Sequence, residues 1–267
     1  MGQASRRPEK LRPDIMSTSN LLLEVRSLRY AYKQRLAVQE ATFAILEGEN
    51  FGFIGPNGAG KTTTISCISG LLSGWGGEML FRGQPFTPAQ SLEDRRKLGV
   101  VPQNLALYEN LSARENLEFF GGLNGLSGAR LREAVNDALQ LAGLVDRAKD
   151  RVREYSGGMK RRLNLAVGVI HRPDLLLLDE PTVGVDAQSR NQIFEALFDL
   201  RRAGRTLLYT THYMEEAQRL CDRVAIMNDG RVIALGTPSE LAAAAGLPAG
   251  NLEEVFLKLT GRSLRDE

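Results

Sequence analysis

Short apolar runs recur along the chain at Leu21–Val25, Ala41–Leu46, Asn50–Ile54, Leu98–Val101, Leu175–Leu178, Thr206–Tyr209 and Val224–Met227. Several have no polar interruption, which predicts strands covered on both faces and hence a largely parallel sheet. Asn228-Asp229-Gly230 separates Val224–Met227 from Arg231–Ala234, a turn signal that predicts an antiparallel hairpin at the end of the sheet. Between about Asn104 and His171 the period changes. Leu131, Val135, Ala138, Leu139 and Ala142 follow helical spacing, and Ser112 with Glu115 makes a capping box. This stretch predicts a helical insert. After Pro238, Ser239 with Glu240 and the alanines start another helix, and Leu252, Val255, Phe256 and Leu259 fall on one face of a last one. The expected organisation is a loose tail over 1–20, an α/β body over 21–236 with its helical part near 104–171, and a helical appendix over 237–267.

Composition narrows the class. Over 267 residues, 43% are hydrophobic and 25% charged, which fits a globular chain and fits neither a disordered nor a collagen-like one. No run approaches the roughly 18 apolar residues needed to cross a bilayer, and stretches such as Leu175–Leu178 have strand length. A net charge of +2, from 34 basic and 32 acidic residues, supplies no broad positive field, so no nucleic-acid partner is expected. Arg95-Arg96-Lys97 and Lys160-Arg161-Arg162 read as solvated helix faces. Cys67 and Cys221 stand far apart without metal or disulfide spacing, which suggests a reduced compartment. Arg6, Arg7, Lys10 and Arg12 are followed by no signal-peptide segment, and either Met1 or Met16 can be the start.

The strongest chemical signal is GPNGAGKTT, formed by Gly55, Pro56, Asn57, Gly58, Ala59, Gly60, Lys61, Thr62 and Thr63 between a predicted strand and a predicted helix. Glycines let backbone N–H groups turn inward around phosphate oxygens, and the helix that follows adds partial positive charge. Lys61 supplies a full charge for the β and γ phosphates, Thr62 a hydroxyl for Mg²⁺, and Thr63 a contact to the α phosphate. Downstream, the Leu175–Leu178 strand delivers Asp179 and Glu180 at its carboxyl end, where α/β sheets build their sites. Asp179 suits Mg²⁺ through water, and Glu180 suits orientation or deprotonation of an attacking water.

A third motif narrows the family. Tyr155–Met159 reads YSGGM and, placed shortly before the carboxylate strand, resembles the LSGGQ-like signature of the ATP-binding cassette family. The resemblance runs from about Leu21 onward. It implies a P-loop ATPase fold with a mixed, mainly parallel sheet, an antiparallel β subdomain and a helical subdomain. It further implies that Tyr32, with Tyr30 as alternative, stacks on adenine and that Gln103 touches Mg²⁺. By the same likeness Asp186 links two sites across a dimer, and His212 contacts the γ-phosphate. Ser156, Gly157 and Gly158 would reach the γ-phosphate bound to a second copy. The departures are Tyr155 and Met159 for the usual Leu and Gln, and Val185 and Ala187 for the frequent Leu and Pro.

What the family implies is an ATP-hydrolysing subunit that uses ATP and Mg²⁺. It would dimerise on ATP and sit peripherally on the cytoplasmic face of the membrane through a separate permease. The residues after Gln103, through Leu107, Tyr108 and the helical insert, would be its coupling surface, with internal core as the alternative for Leu105 and Leu107. Thr211–Gly230 and Asn251–Gly261 resemble ATPases of ABC-2 type exporters, so export is expected, with import as the alternative. A non-transport cassette acting on ribosomes or DNA is the rival; the second cassette, long insertions or zinc cysteines of such relatives are not found in this sequence.

Overall fold

The computed structural model describes residues 20–261. The expected tail over 1–20, apart from Asn20, and the choice between Met1 and Met16 lie outside the described residues, as do 262–267. The chain opens with β1 (Leu21–Tyr32) and β2 (Arg35–Leu46), followed by β3 (Asn50–Ile54) and α1 (Lys61–Ile68). Next come β4 (Gly76–Phe81), the short β5 (Gln84–Pro85), α2 (Leu92–Arg96) and β6 (Leu98–Val101). Three helices, α3 (Ala113–Leu123), α4 (Gly128–Leu141) and α5 (Gly157–Val169), precede β7 (Leu175–Asp179). The chain continues through α6 (Ala187–Arg202), β8 (Thr206–Thr211), α7 (Met214–Leu220), β9 (Arg223–Asn228) and β10 (Arg231–Gly236). It closes with α8 (Pro238–Ala244) and α9 (Leu252–Thr260).

These strands form one 10-stranded sheet in the order β5-β4-β1-β2-β10-β9-β3-β8-β7-β6. From β9 to β6 every pairing is parallel. The reason is visible in burial: β3, β7 and β8 are buried at every position, as strands covered on both faces must be. In the other half β1 pairs antiparallel with both β2 and β4, and β9 and β10 form the expected antiparallel hairpin turning at Asp229 and Gly230, while β10 meets β2 in parallel. Both turn residues have positive φ, 46° and 73°, which matches the twist of a tight hairpin. The α/β fold with a mixed, mainly parallel core and an antiparallel part is therefore as the sequence implied.

Three apolar clusters hold the layers. One packs β7, β8 and β9 against α6, α7, α8 and α9; a second packs β1–β3 and α1; a third joins α3, α4 and α5. Ser112 and Glu115 form the predicted capping box. Two details differ from expectation. Thr237, not Ser239, caps α8, exchanging bonds with Glu240 while Pro238 takes the first helical position, which needs no N–H. On α9, which packs against α7 and α8, Leu252, Val255 and Phe256 are buried but Leu259 is 45% exposed.

Candidate functional site

β3, β8 and β7 lie side by side and point the same way, with Ile54 opposite Thr211 and Asp179 opposite Thr210. Their carboxyl ends therefore bring the glycine-rich loop, His212 and Glu180 together at one end of the parallel strands. Here opens a cleft of about 930 Å³, lined by Tyr32, Asn57, Gly58, Gly60, Lys61, Thr62, Thr63, Gln103, Glu180 and His212 among others.

The loop geometry depends on glycine. A Cβ on Gly55 would stand 2.1 Å from the Met227 carbonyl oxygen, and one on Gly60, at φ 105°, 2.6 Å from that of Ala37. Lys61 is buried, and its Nζ donates to the Gly55 and Pro56 carbonyls at 2.8 and 3.0 Å. It also lies 3.2 Å from Glu180 Oε1, while Glu180 Oε2 lies 3.2 Å from His212 Nδ1. Glu180 thus stands between a cation and an imidazole at the mouth of the loop. It does so at φ 47°, a strained conformation for a residue with a Cβ, and such strain collects at functional sites.

Asp179 is buried one residue earlier. Thr210 and Thr62 donate to its Oδ1 at 2.8 and 3.1 Å. Burial pushes its carboxyl above the usual range, opposed by these two hydroxyls and by Lys61 and reinforced by Glu180. A Thr hydroxyl and a buried carboxylate, close together and with oxygen as their only donor atoms, form the kind of donor set Mg²⁺ prefers. Thr210 was not foreseen. Its hydroxyl also accepts from the Glu180 N–H at 3.1 Å, so one side chain fixes both acidic residues. Nothing in a run reading TLLYTT marks it, because its role depends on strand pairing.

Tyr32 is half exposed at the rim, its ring edge-on to Tyr30 at 5.0 Å. Tyr30 packs against the core beneath, so Tyr32 is the one turned to the cleft. Gln103 lines the cleft, and its carbonyl accepts from Arg161, which also donates to the Val183 carbonyl at 3.2 Å. Sequence reasoning read Arg161 only as part of a solvated face; it ties α5 to two cleft loops. Leu107 packs toward the helical cluster, whereas Leu105 and Tyr108 are exposed.

Ser156, Gly157, Gly158 and Asp186 are not brought to this cleft. Ser156 caps α5 by accepting from Met159 N at 3.2 Å, and Asp186 caps α6 by accepting from Ser189 N at 2.9 Å. The two helix starts touch: a Cβ on Gly158 would lie 1.9 Å from Ser189 Oγ. The unusual Tyr155 is buried and donates to the Arg147 carbonyl at 2.6 Å, anchoring the signature turn from below. Met159 packs its side chain against the helical cluster, and Val185 is buried in the core beside α6.

Comparison with known proteins identifies the relatives of this fold. A family model described as ABC transporter matches residues 38–183. The chain is 42% identical over 242 residues to the linearmycin resistance ATP-binding protein LnrL of Bacillus subtilis (strain 168), covering 88% of this chain and 78% of that one. It is 44% identical over 220 residues to the Nod factor export ATP-binding protein I of Cupriavidus metallidurans, covering 82% and 72%. A solved ATP-binding subunit of an ABC transporter superposes with a TM-score of 0.81 at 32% identity, over 90% of this chain and 99% of that structure.

Proposed function

Because this chain belongs to the ATP-binding cassette family of ABC transporter ATPases, we propose that its cleft hydrolyses Mg·ATP to drive export through a separate ABC-2 type permease. The observation that carries the catalytic reading is Glu180, held 3.2 Å from both Lys61 and His212 at the carboxyl end of β7, beside the phosphate loop.

In this reading Tyr32 stacks on the adenine, and Gly55–Thr63 wrap the phosphates with inward N–H groups. Lys61 exchanges its contact with Glu180 for the β and γ phosphates. Glu180, released toward the γ-phosphate, accepts a proton from the attacking water as its oxygen bonds to phosphorus. The bond from that phosphorus to the β–γ bridging oxygen breaks, ADP keeps the electron pair, and His212 holds the departing phosphate. Thr62 and Asp179, with Gln103 alongside, would hold Mg²⁺. Bound there, the metal would neutralise charge on the β and γ phosphates.

The separation of Ser156–Gly158 from the chain's own cleft supports a head-to-tail dimer in which each ATP is covered by the partner's signature, with Asp186 beside the seam. ATP then favours the closed dimer and hydrolysis releases that preference. No helix among the described residues is long and apolar enough to cross a membrane, which supports a substrate path in another chain. Tyr108, Phe119 and Leu123 stand exposed on the helical side, with the Tyr108 and Phe119 rings 4.9 Å apart. This apolar patch, continuous with the loop after Gln103, suits a permease helix at the cytoplasmic membrane face. Export is supported by the likeness to the Nod factor export ATP-binding protein.

The test is Glu180→Gln. Steady-state hydrolysis should fall by about 10²-fold or more, while ATP-dependent dimerisation, read by light scattering, persists. Unchanged turnover would refute the role given to Glu180.

A further inference from the structure

Behind His212 lies a buried carboxylate that no motif accounts for. Glu216, in the first turn of α7, is 5% exposed. The Thr182 hydroxyl lies 3.0 and 2.9 Å from its two oxygens, and Tyr209 and Thr211 donate to Oε2 at 2.8 and 3.0 Å. These hydroxyls converge on one carboxyl group as their shared acceptor. Arg190 Nε, 3.8 Å from Oε1, has no hydrogen-bond partner of its own.

The origins of these groups matter more than their number. Thr182 follows Glu180 by two residues, and Thr211 immediately precedes His212. Arg190 sits one turn into α6, its N–H bonded to the Asp186 carbonyl at 2.9 Å. The Thr211 hydroxyl, besides donating to Glu216, accepts from Tyr213 N at 2.9 Å, which closes a tight turn around His212. The backbone on both sides of His212 is thereby fixed, and its ring is left to face Glu180.

We propose that Glu216 is a positioning residue for hydrolysis, clamping the His212 turn to the segment after Glu180 and so setting the geometry of that pair. The proposal rests on the reading of Glu180 and His212 as the hydrolytic pair. In a buried network every member depends on the others, so loss of one acceptor loosens all three donors. Glu216→Gln keeps the shape but places an amide N–H₂ against hydroxyls, and Thr211→Val removes one link alone.

Each variant is to be assayed alone and combined with His212→Ala, with Mg·ATP binding measured separately. Singly, each should lower kcat, Glu216→Gln by on the order of 10²-fold, with KM and Mg·ATP affinity unchanged. In the His212→Ala background neither should lower kcat further, because the clamp acts through that ring. Thr211→Ser should restore turnover, and the Thr211 series stands by itself where Glu216→Gln does not fold. A full, independent loss on top of His212→Ala, or a raised KM at unchanged kcat, would overturn the positioning role. Wild-type turnover in His212→Ala alone would instead overturn the pair, and the clamp with it.

Discussion

His171 follows the C-cap of α5, with Nε2 3.0 Å from the Leu98 carbonyl. A carbonyl only accepts, so Nε2 carries the proton, and the buried Nδ1 has no partner. Burial pushes the His171 pKa below its ordinary value of 6.5, while the bond to Leu98 works the other way. With the folded value depressed, the unfolded chain takes the proton more readily. The site's stability is therefore complete above 6.5 and is lost as pH falls through the depressed value. His171→Gln, which keeps a donor for Leu98, should flatten the fall of the urea midpoint on the acid side; an unaltered slope would count against this. Tyr155→Phe should cost about 1 kcal/mol by loss of the bond to Arg147, read from the same denaturation curves. Side chains such as Lys61, Thr62, Asp179 and Glu180 were legible because their spacing is local. Thr210, Arg161 and Glu216 were not, since each acts across strands or helices far apart in the chain.

Elements were legible where burial is uniform. β3 and β6 coincide with their apolar runs, whereas β1 and β2 extend well past theirs, because polar residues on their open faces hide the strand. β4 begins with two exposed glycines, and β5 has two residues, so neither carries a periodic signal. The contact between the starts of α5 and α6 is equally invisible in sequence. There a Cβ on Gly158 would meet Ser189 Oγ at 1.9 Å and Ser189 Cβ at 2.4 Å. Gly158→Ala should accordingly cost about 1–3 kcal/mol, as overpacking does. Adding Ser189→Gly should recover most of it, and equal losses with and without Ser189 would show that the crowding lies elsewhere.

The molecule as a whole divides its chemistry by layer. The parallel half of the sheet gathers the phosphate loop, Glu180 and His212, while α5 carries Ser156–Gly158 away from them. The family motifs made that division readable in advance, though not the Arg161 bridge that spans it. A Cβ on Gly157 meets nothing within 4 Å, so Gly157→Asp should fold while setting a carboxylate where a neighbour's phosphate would arrive. A preparation of that variant and one of Lys61→Ala should each be inert. Blended, they can exchange partners: one seam of the hybrid inherits both lesions and the other inherits neither, so turnover should reappear from two dead samples.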